Sequence, residues 1–312
     1  MARAVFLGTP QFAAPALRAL AREHELALVV TQPDRAGGRG RHQLYVPAVK
    51  QVAEELGLRV LQPRSLRRDR EALQALREAR ADVFVLAAFG QILRPEVLAI
   101  PRRGCVGIHA SLLPRYRGAA PIAAAILQGE EETGVTLMLT DAGMDTGPII
   151  AQRRLPIAED DTTETLGDRL ASLGAELLSA TLPAWLAGEI VPRPQHEAEA
   201  TCAPPLEKAQ GLIDWQHSAL QLARQVRAFS PWPGAFTSCR SVPLKVLRAR
   251  PIPFWSRADA PGTVVEAHEA IGVVTGEGLL VLEVVQLAGK KPLEARVFAR
   301  GQHGFVGNVL GS

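Results

Sequence analysis

Val83-Phe84-Val85-Leu86-Ala87-Ala88 is an unbroken apolar run, too short for a helix of ordinary length and rich in residues that favour strands. With no polar alternation, it predicts a strand buried on both faces, as in a parallel sheet covered by helices. The neighbouring sequence repeats the pattern. Ala4–Leu7, Leu26–Thr31, Arg59–Leu61, Cys105–Ile108 and Val135–Thr140 read as further strands. Helical segments fall between them at Gln11–Arg22, Pro47–Leu56, Asp69–Arg80 and Ala119–Gln128. Strands alternating with helices, joined by right-handed crossovers, predict an α/β fold: an open, doubly wound, mostly parallel sheet. Ligands in such sheets sit beyond the carboxyl ends of the strands. That rule points to Gly8-Thr9-Pro10, to Phe89-Gly90 and to the residues after Ile108.

Downstream the character changes. Thr162–Leu186 reads as one long helix opening on a Thr-Thr cap signal, and Pro192–Pro205, with four prolines, reads as a linker. After a helix around Ser218–Phe229 come short β-rich runs at Leu244–Leu247, Gly262–Val265, Ile271–Thr275 and Leu279–Gln286, the pattern of a small C-terminal all-β barrel or sandwich. The domain expectation is therefore 1–189, a linker at 190–206, and 207–312.

Composition narrows the function classes. The 312 residues suffice for two domains, and 47% apolar with 21% charged residues excludes wholesale disorder. No stretch approaches the roughly 18–20 uninterrupted apolar residues of a membrane span, so no membrane association is expected. Ala4–Leu7 is too short for a signal peptide, which predicts a cytoplasmic chain. Three cysteines without Cys-x-x-Cys spacing argue against a disulfide framework or a zinc site, and no metal is expected. No exposed apolar stripe calls for a partner copy, so a monomer is expected. Residues 201–312 hold 12 basic against 8 acidic side chains, whereas the first 200 hold 23 against 24. The basic tail permits a polyanionic partner and is equally what an ordinary solvated surface would be.

Three segments carry candidate chemistry. Gln32–His42 strings arginines among glycines directly after a strand, a basic loop able to close on phosphates or simply a surface excursion; it is no P-loop, and no Gly-x-Gly-x-x-Gly fingerprint follows Gly8. His109-Ala110-Ser111-Leu112-Leu113-Pro114-Arg115-Tyr116-Arg117-Gly118 leaves a buried strand at its carboxyl end, where His109 suits proton transfer or oxyanion stabilisation, or a structural hydrogen bond. Asp141-Ala142-Gly143-Met144-Asp145-Thr146-Gly147-Pro148 is a Gly-rich turn after another strand that could bring Asp145 beside His109, as a general-base couple sharing a water, or could serve only to make the turn.

His109–Pro121 together with Gly143–Gly147 resembles the folate-dependent formyltransferase family. The extended Ser111-Leu112-Leu113-Pro114-Arg115-Tyr116-Arg117-Gly118-Ala119-Ala120-Pro121, the Gly8–Phe12 turn, the Gln32–Arg41 loop, Arg227–Pro233 and Ala288-Gly289-Lys290-Lys291-Pro292 are similar to its methionyl-tRNA formyltransferase branch. The resemblance implies a Rossmann-like formyltransferase domain followed by a domain resembling an OB barrel that helps hold tRNA. It implies formyl transfer from 10-formyltetrahydrofolate to the amino group of methionyl initiator tRNA, with no DNA partner. By position, His109 and Asp145 would be catalytic. Ser111, Leu112, Leu113 and Pro114, with Leu86, Phe89, Gly90, Gln91, Ile92 and Asp141, would line the folate site. Phe12 would touch the methionyl side, while Arg39, Arg41, Lys290 and Lys291 would meet tRNA, with Lys245, Arg248 and Arg250 next.

One position departs from the family pattern. Gly107 stands where the family has a catalytic asparagine, two residues before the histidine. Losing one oxyanion donor costs about 10²–10³ in rate, which implies a slow enzyme unless a water fills the vacated space, and Gly107→Asn would then raise kcat. The same residues leave two other readings open: a formyltransferase for a small amine, such as an amino sugar nucleotide or glycinamide ribonucleotide, and a non-catalytic folate- or tRNA-binding homologue.

Overall fold

The apolar runs gather into one sheet. The structure, a computed structural model, describes residues 1–37, 43–256, 259–267 and 269–311. The chain divides into two compact units: Met1–Pro121 with Glu132–Pro156 and Gly167–Ala203, and Ile122–Glu131 with Ile157–Leu166 and Pro204–Ser312. Along the first stretch come β1 (Arg3–Gly8), α1 (Ala14–Glu23), β2 (Glu25–Val30), β3 (Arg35–Gly37), β4 (Gln43–Tyr45), α2 (Ala48–Glu55) and β5 (Val60–Leu61). They are followed by α3 (Arg70–Glu78), β6 (Val83–Ala87), α4 (Pro95–Leu98), β7 (Cys105–His109) and β8 (Arg117–Gly118). Then come α5 (Pro121–Gln128), β9 (Glu132–Leu139), β10 (Ile149–Pro156), α6 (Thr163–Ala187) and β11 (Cys202–Ala203).

The main sheet of the first unit has the order β10-β9-β7-β6-β1-β2-β5. The five strands from β5 to β7 run parallel, while at one edge β9 pairs antiparallel with β7 and β10 antiparallel with β9. Strand order reverses at β1, which makes its carboxyl end and that of β6 the switch-point crevice where such sheets bind ligands. In β1 every residue after Arg3 is buried, and in β7 all five are, the two-sided burial that the continuous apolar runs predicted. Helix α3 opens on Asp69, whose carboxylate accepts the Ala72 N–H at 2.9 Å, and buries Ala72, Ala75 and Leu76 at helical spacing. Helix α6 is long and apolar enough to cross a membrane by length and composition alone. Its Leu170, Leu178 and Leu182 are buried, and a side chain at Gly174 would start 3.0 Å from Ile108 and 3.5 Å from Val135. It is a core helix laid on the sheet.

Two stretches have more structure than their composition suggested. The basic loop is at its base a two-stranded antiparallel hairpin, β3 with β4, and Arg39 and Arg41 lie outside the described residues. The proline-rich stretch read as a linker runs along the first unit: β11 pairs in parallel with β8, and Arg193 bridges to Ile149. In the second unit, α7 (Ala219–Ala228) begins at a capping box between Ser218 and Gln221. It is followed by β12 (Ala235–Cys239), β13 (Val242–Ile252), β14 (Val264–Ala267), β15 (Ala270–Val274), β16 (Leu279–Leu287), β17 (Leu293–Glu294) and α8 (Ala295–Gly301). The strands form an antiparallel sheet of order β12-β13-β16-β15-β14, with β17 on β16. Leu222 and Val226 of α7 and Phe298 of α8 share its core with Leu244, Val246 and Val285.

The hairpin springs from Asp34, whose carboxylate takes Lys50 Nζ at 2.6 Å and Gln62 Nε2 at 2.7 Å. The Lys50 bond foremost, then the Gln62 bond, hold the Asp34 carboxyl below its ordinary range, and Asp34 raises Lys50 in return. A lowered carboxyl stabilises the fold above its unfolded pKa and loses that contribution as pH falls through the lowered value; a raised ammonium contributes below its unfolded pKa and loses it as pH rises through the raised value. Hydrogen-exchange protection of β3 and β4 is therefore expected to hold through neutral pH and to fall at both extremes. Asp34→Asn should weaken it at neutral pH and abolish the acid-side change.

Candidate active site

Strand β7 delivers His109 to the carboxyl end of the sheet between β6 and β9, and burial of the four preceding residues fixes the height at which the ring emerges. Nε2 lies 2.9 Å from the Tyr116 carbonyl oxygen. A carbonyl only accepts, so Nε2 carries a proton. Nδ1 then faces Oδ2 of Asp145 at 3.6 Å. That is beyond hydrogen-bond length, and a neutral ring would set a lone pair against a carboxylate. Two acceptors therefore face the same small space, where a donor N–H or O–H approaching from the side can reach both.

Asp145 is presented by a turn that the chain builds with its own polar groups. Asp141 accepts the Gly143 N–H at 3.0 Å and the Thr146 hydroxyl at 2.8 and 2.9 Å. Asp145 adopts φ +55°, uncommon for a non-glycine residue. Its Oδ2 accepts the Gly118 N–H at 2.8 Å. Gly118 has φ +111°, and a Cβ there would lie 2.8 Å from the Ala203 carbonyl, so no side chain fits. Gln195 closes the turn from behind, its Nε2 donating to the carbonyls of Asp145 at 2.8 Å and Gly147 at 2.7 Å.

The other sequence-predicted residues divide into those at the strand ends and those elsewhere. Ser111 is fully buried with its hydroxyl donated to the Arg115 carbonyl at 2.6 Å, so it shapes the turn and offers no free donor. Thr136 and Gln152 hold the following residues: the Leu113 N–H donates to Thr136 Oγ1 at 3.1 Å, and Gln152 Nε2 donates to the Leu113 carbonyl at 2.9 Å. Leu112 is half-buried and Leu113 and Pro114 are buried. Leu86 lies beside Gly107 across the β6–β7 pair. Phe89 puts its ring into the core with Leu93 and Val97, and its carbonyl is held by Thr9 at 3.2 Å and Gln32 at 3.1 Å. Gly90 has φ +75°. Gln91 turns away to accept the Leu66 N–H at 2.8 Å, and Ile92 stands 74% exposed. Phe12 is half-buried in the turn after β1. Lys290 and Lys291 are exposed in the second unit, between β16 and β17. Lys245 is exposed on β13, and Arg248 and Arg250 both pair with Glu283, at 2.8 and 3.7 Å.

The space over Gly107 is already crowded for a side chain. A Cβ built there would stand 2.9 Å from Thr140 Oγ1 and 3.3 and 3.5 Å from Met138 Cε and Cγ. The Thr140 hydroxyl is itself buried and has no hydrogen-bond partner among the described residues. Cys105, at the start of the same strand, is no nucleophile, because burial pushes its thiol up to about 12. Among the described residues no group of three or more His, Cys, Asp or Glu side chains could hold a metal.

Residues 2–182 match the family model described as "Formyl transferase", and 205–303 match "Formyl transferase, C-terminal domain". The methionyl-tRNA formyltransferase of Roseiflexus castenholzii is 49% identical over 312 residues, covering 99% of each chain. The chain belongs to the methionyl-tRNA formyltransferase family. Another relative carrying that name, from Chromobacterium violaceum, is 49% identical over 98% of this chain and 99% of its own. Solved structures share the fold at lower identity. HypX from Aquifex aeolicus in complex with tetrahydrofolic acid has a TM-score of 0.65 at 20% identity, covering 97% of this chain and 48% of that one. The N-formyltransferase from Helicobacter canadensis has a TM-score of 0.66 at 19% identity, covering 90% and 98%.

Tyr116, Gly118 and Gln195, which hold the pair, escaped the sequence reading. The first two act through backbone atoms, and Gln195 sits in a stretch whose prolines read as a linker. An asparagine restored at Gly107 must displace the Thr140 hydroxyl or the Met138 thioether. Gly107→Asn is therefore expected to lower stability by about 1–3 kcal/mol, read as a fall in Tm, and Thr140→Ala in the same chain should recover most of it.

Proposed function

We infer that this chain transfers a formyl group from 10-formyltetrahydrofolate to the amino group of methionyl initiator tRNA. The observation that carries the reading is the approach of His109 Nδ1 to Asp145 Oδ2 at 3.6 Å at the carboxyl end of the sheet. In this reading the half-buried Leu86, paired with Gly107 across the strands, and the exposed Ile92, in the loop after β6, form the apolar lip of the pocket. That apolar lip suits a flat pterin, with a polar formamide turned towards His109. When bound, 10-formyltetrahydrofolate supplies the formyl carbon that the amine attacks.

The chain's own residues manage the proton. The attacking amine must be neutral and must shed a proton as the new bond forms. Asp145 Oδ2, steadied by the Gly118 N–H, and Nδ1, steadied through Nε2 by the Tyr116 carbonyl, are two acceptors facing one small space. A proton taken there makes an imidazolium whose two N–H groups point at a carbonyl and a carboxylate, both acceptors. With Nε2 committed to Tyr116, Nδ1 is the nitrogen that acts: only after taking that proton can it donate towards the formyl oxygen, and it then returns the proton to the departing nitrogen. Leu113, Leu86 and the backbone around Gly90 serve the folate pocket in this reading, while Asp141 and Ser111 hold its walls. With glycine at 107 and Thr140 beneath it, one oxyanion donor of the family is missing, and the rate is correspondingly reduced.

For the tRNA, residues 1–189 act as the catalytic part and 207–312 as a phosphate-directed surface, with Phe12 near the methionyl side and Arg39 and Arg41 reaching the acceptor stem. Lys245 pairs across strands with Gln286, whose amide holds the Lys290 carbonyl at 2.8 Å, so Lys245, Lys290 and Lys291 form one exposed basic edge. The chain would work as a cytoplasmic monomer.

His109→Ala and Asp145→Asn are each expected to lower kcat about 10²–10⁴-fold with the KM for the formyl donor little changed. Retained turnover in either overturns the assignment. Gly107→Asn combined with Thr140→Ala should raise kcat above wild type, and an equal or lower rate removes the oxyanion account. Replacing Lys290 or Lys291 by alanine should flatten the salt dependence of tRNA binding by about one unit of log–log slope each, measured by filter binding.

A further inference from the structure

We propose that Gln195 is a positioning residue for Asp145, reaching the catalytic turn from the stretch between the two family-matched parts of the chain; the proposal rests on the acid–base reading of Asp145 above. Residues 183–204 fall outside both family matches, and nothing in the composition of Pro192–Pro205 marks them as part of a site. Yet Gln195 makes the only side-chain hydrogen bonds to the carbonyls of Asp145 and Gly147 among the described residues. Both amide protons are used. Its Oε1 accepts from Arg117 Nε at 3.0 Å and Nη2 at 2.8 Å. The amide can sit only this way round, because two carbonyls need a donor and a guanidinium needs an acceptor.

The contacts close a ring. Arg117 is buried and is held on its other side by Glu197, at 2.9 and 2.7 Å. The next residue, Gly118, gives its N–H to the Asp145 carboxylate. One dipeptide therefore holds the acid twice: directly at the carboxylate, and through Gln195 at the acid's own carbonyl. Asp145 sits at φ +55°, a backbone state an L side chain does not favour. Its carboxylate, engaged by Gly118 and turned to His109, makes no bond to its own backbone. The Gln195 amide supplies what keeps this turn in place, and with it the 3.6 Å approach to Nδ1. Misplacing a catalytic group by about 1 Å can cost on the order of 10²-fold in rate.

Gln195→Glu separates the two halves of the amide: it keeps an acceptor for Arg117 and removes both donors to the turn. With full-length protein, charged initiator tRNA and 10-formyltetrahydrofolate, the single-turnover rate is expected to fall about 10–100-fold. The KM for the formyl donor and the Kd for tRNA should stay within twofold, and hydrogen exchange should quicken at 141–147 but not in β7 or β9. A rate within threefold of wild type overturns the proposal. So does a loss accompanied by faster exchange throughout β7 and β9, or by an equal weakening of tRNA binding, because Gln195 would then be a general support. Asp145→Asn is measured alongside. A wild-type rate there overturns the acid–base reading itself, whereas a slow Asp145→Asn beside an unimpaired Gln195→Glu overturns only the positioning role.

Discussion

The hydrogen bond from His109 Nε2 to the Tyr116 carbonyl decides which way the imidazole works. It commits one nitrogen to the protein and turns the other towards Asp145. The carbonyl is held in its turn: the Tyr116 N–H donates to Thr201 Oγ1 at 2.8 Å, and the Arg117 N–H donates to the Thr201 carbonyl at 2.8 Å. Tyr116 lies at φ +59°, so the turn needs that external hold. The orientation of a ring on β7 thus depends on a segment some ninety positions downstream, which pairs with β8.

Several polar side chains at the strand ends and in the turns after them are spent on backbone geometry. Ser111, Thr136, Gln152, Asp141 and Gln91 each satisfy main-chain groups at the strand ends or brace the turns between them. Buried backbone groups at the ends of a parallel sheet have no ladder partner and must find one elsewhere. The consequence is a rim built before any ligand arrives, in which Nδ1 and the Asp145 carboxylate face each other at 3.6 Å. Preorganisation of that kind is what allows small charges to act strongly in a low-dielectric site.

The sheet's centre was legible because its strands are buried on both faces and so read as unbroken apolar runs: β1, β6 and β7 appear in the sequence almost residue for residue. Strand β10 did not, because at the edge of the sheet it alternates into solvent and carries Gln152, Arg153 and Arg154. The two-residue strands β8 and β11 have no pattern of their own and exist only as each other's partner. Helix α8 is seven residues long, too short for its periodicity to stand out. In the site, His109 and Asp145 could be named from their motifs and from the strand-end rule. The room above Gly107 could not be judged, since Met138 and Thr140 reach it from a neighbouring strand.

Taken alone, the order of residues determined the class of sheet, and it put forward the strand ends, with His109 and Asp145, as candidates for chemistry. Each of these follows from local pattern: hydrophobic period, turn residues and a motif spanning a few positions. It left open whether imidazole and carboxylate would meet, which ring nitrogen would be available and what would hold the acid in a left-handed turn. Those were settled by groups far apart in the chain, and several of them are backbone N–H and C=O groups that every residue possesses. A contact made by the main chain leaves no mark on residue identity, so it becomes visible only when folding brings the two segments together.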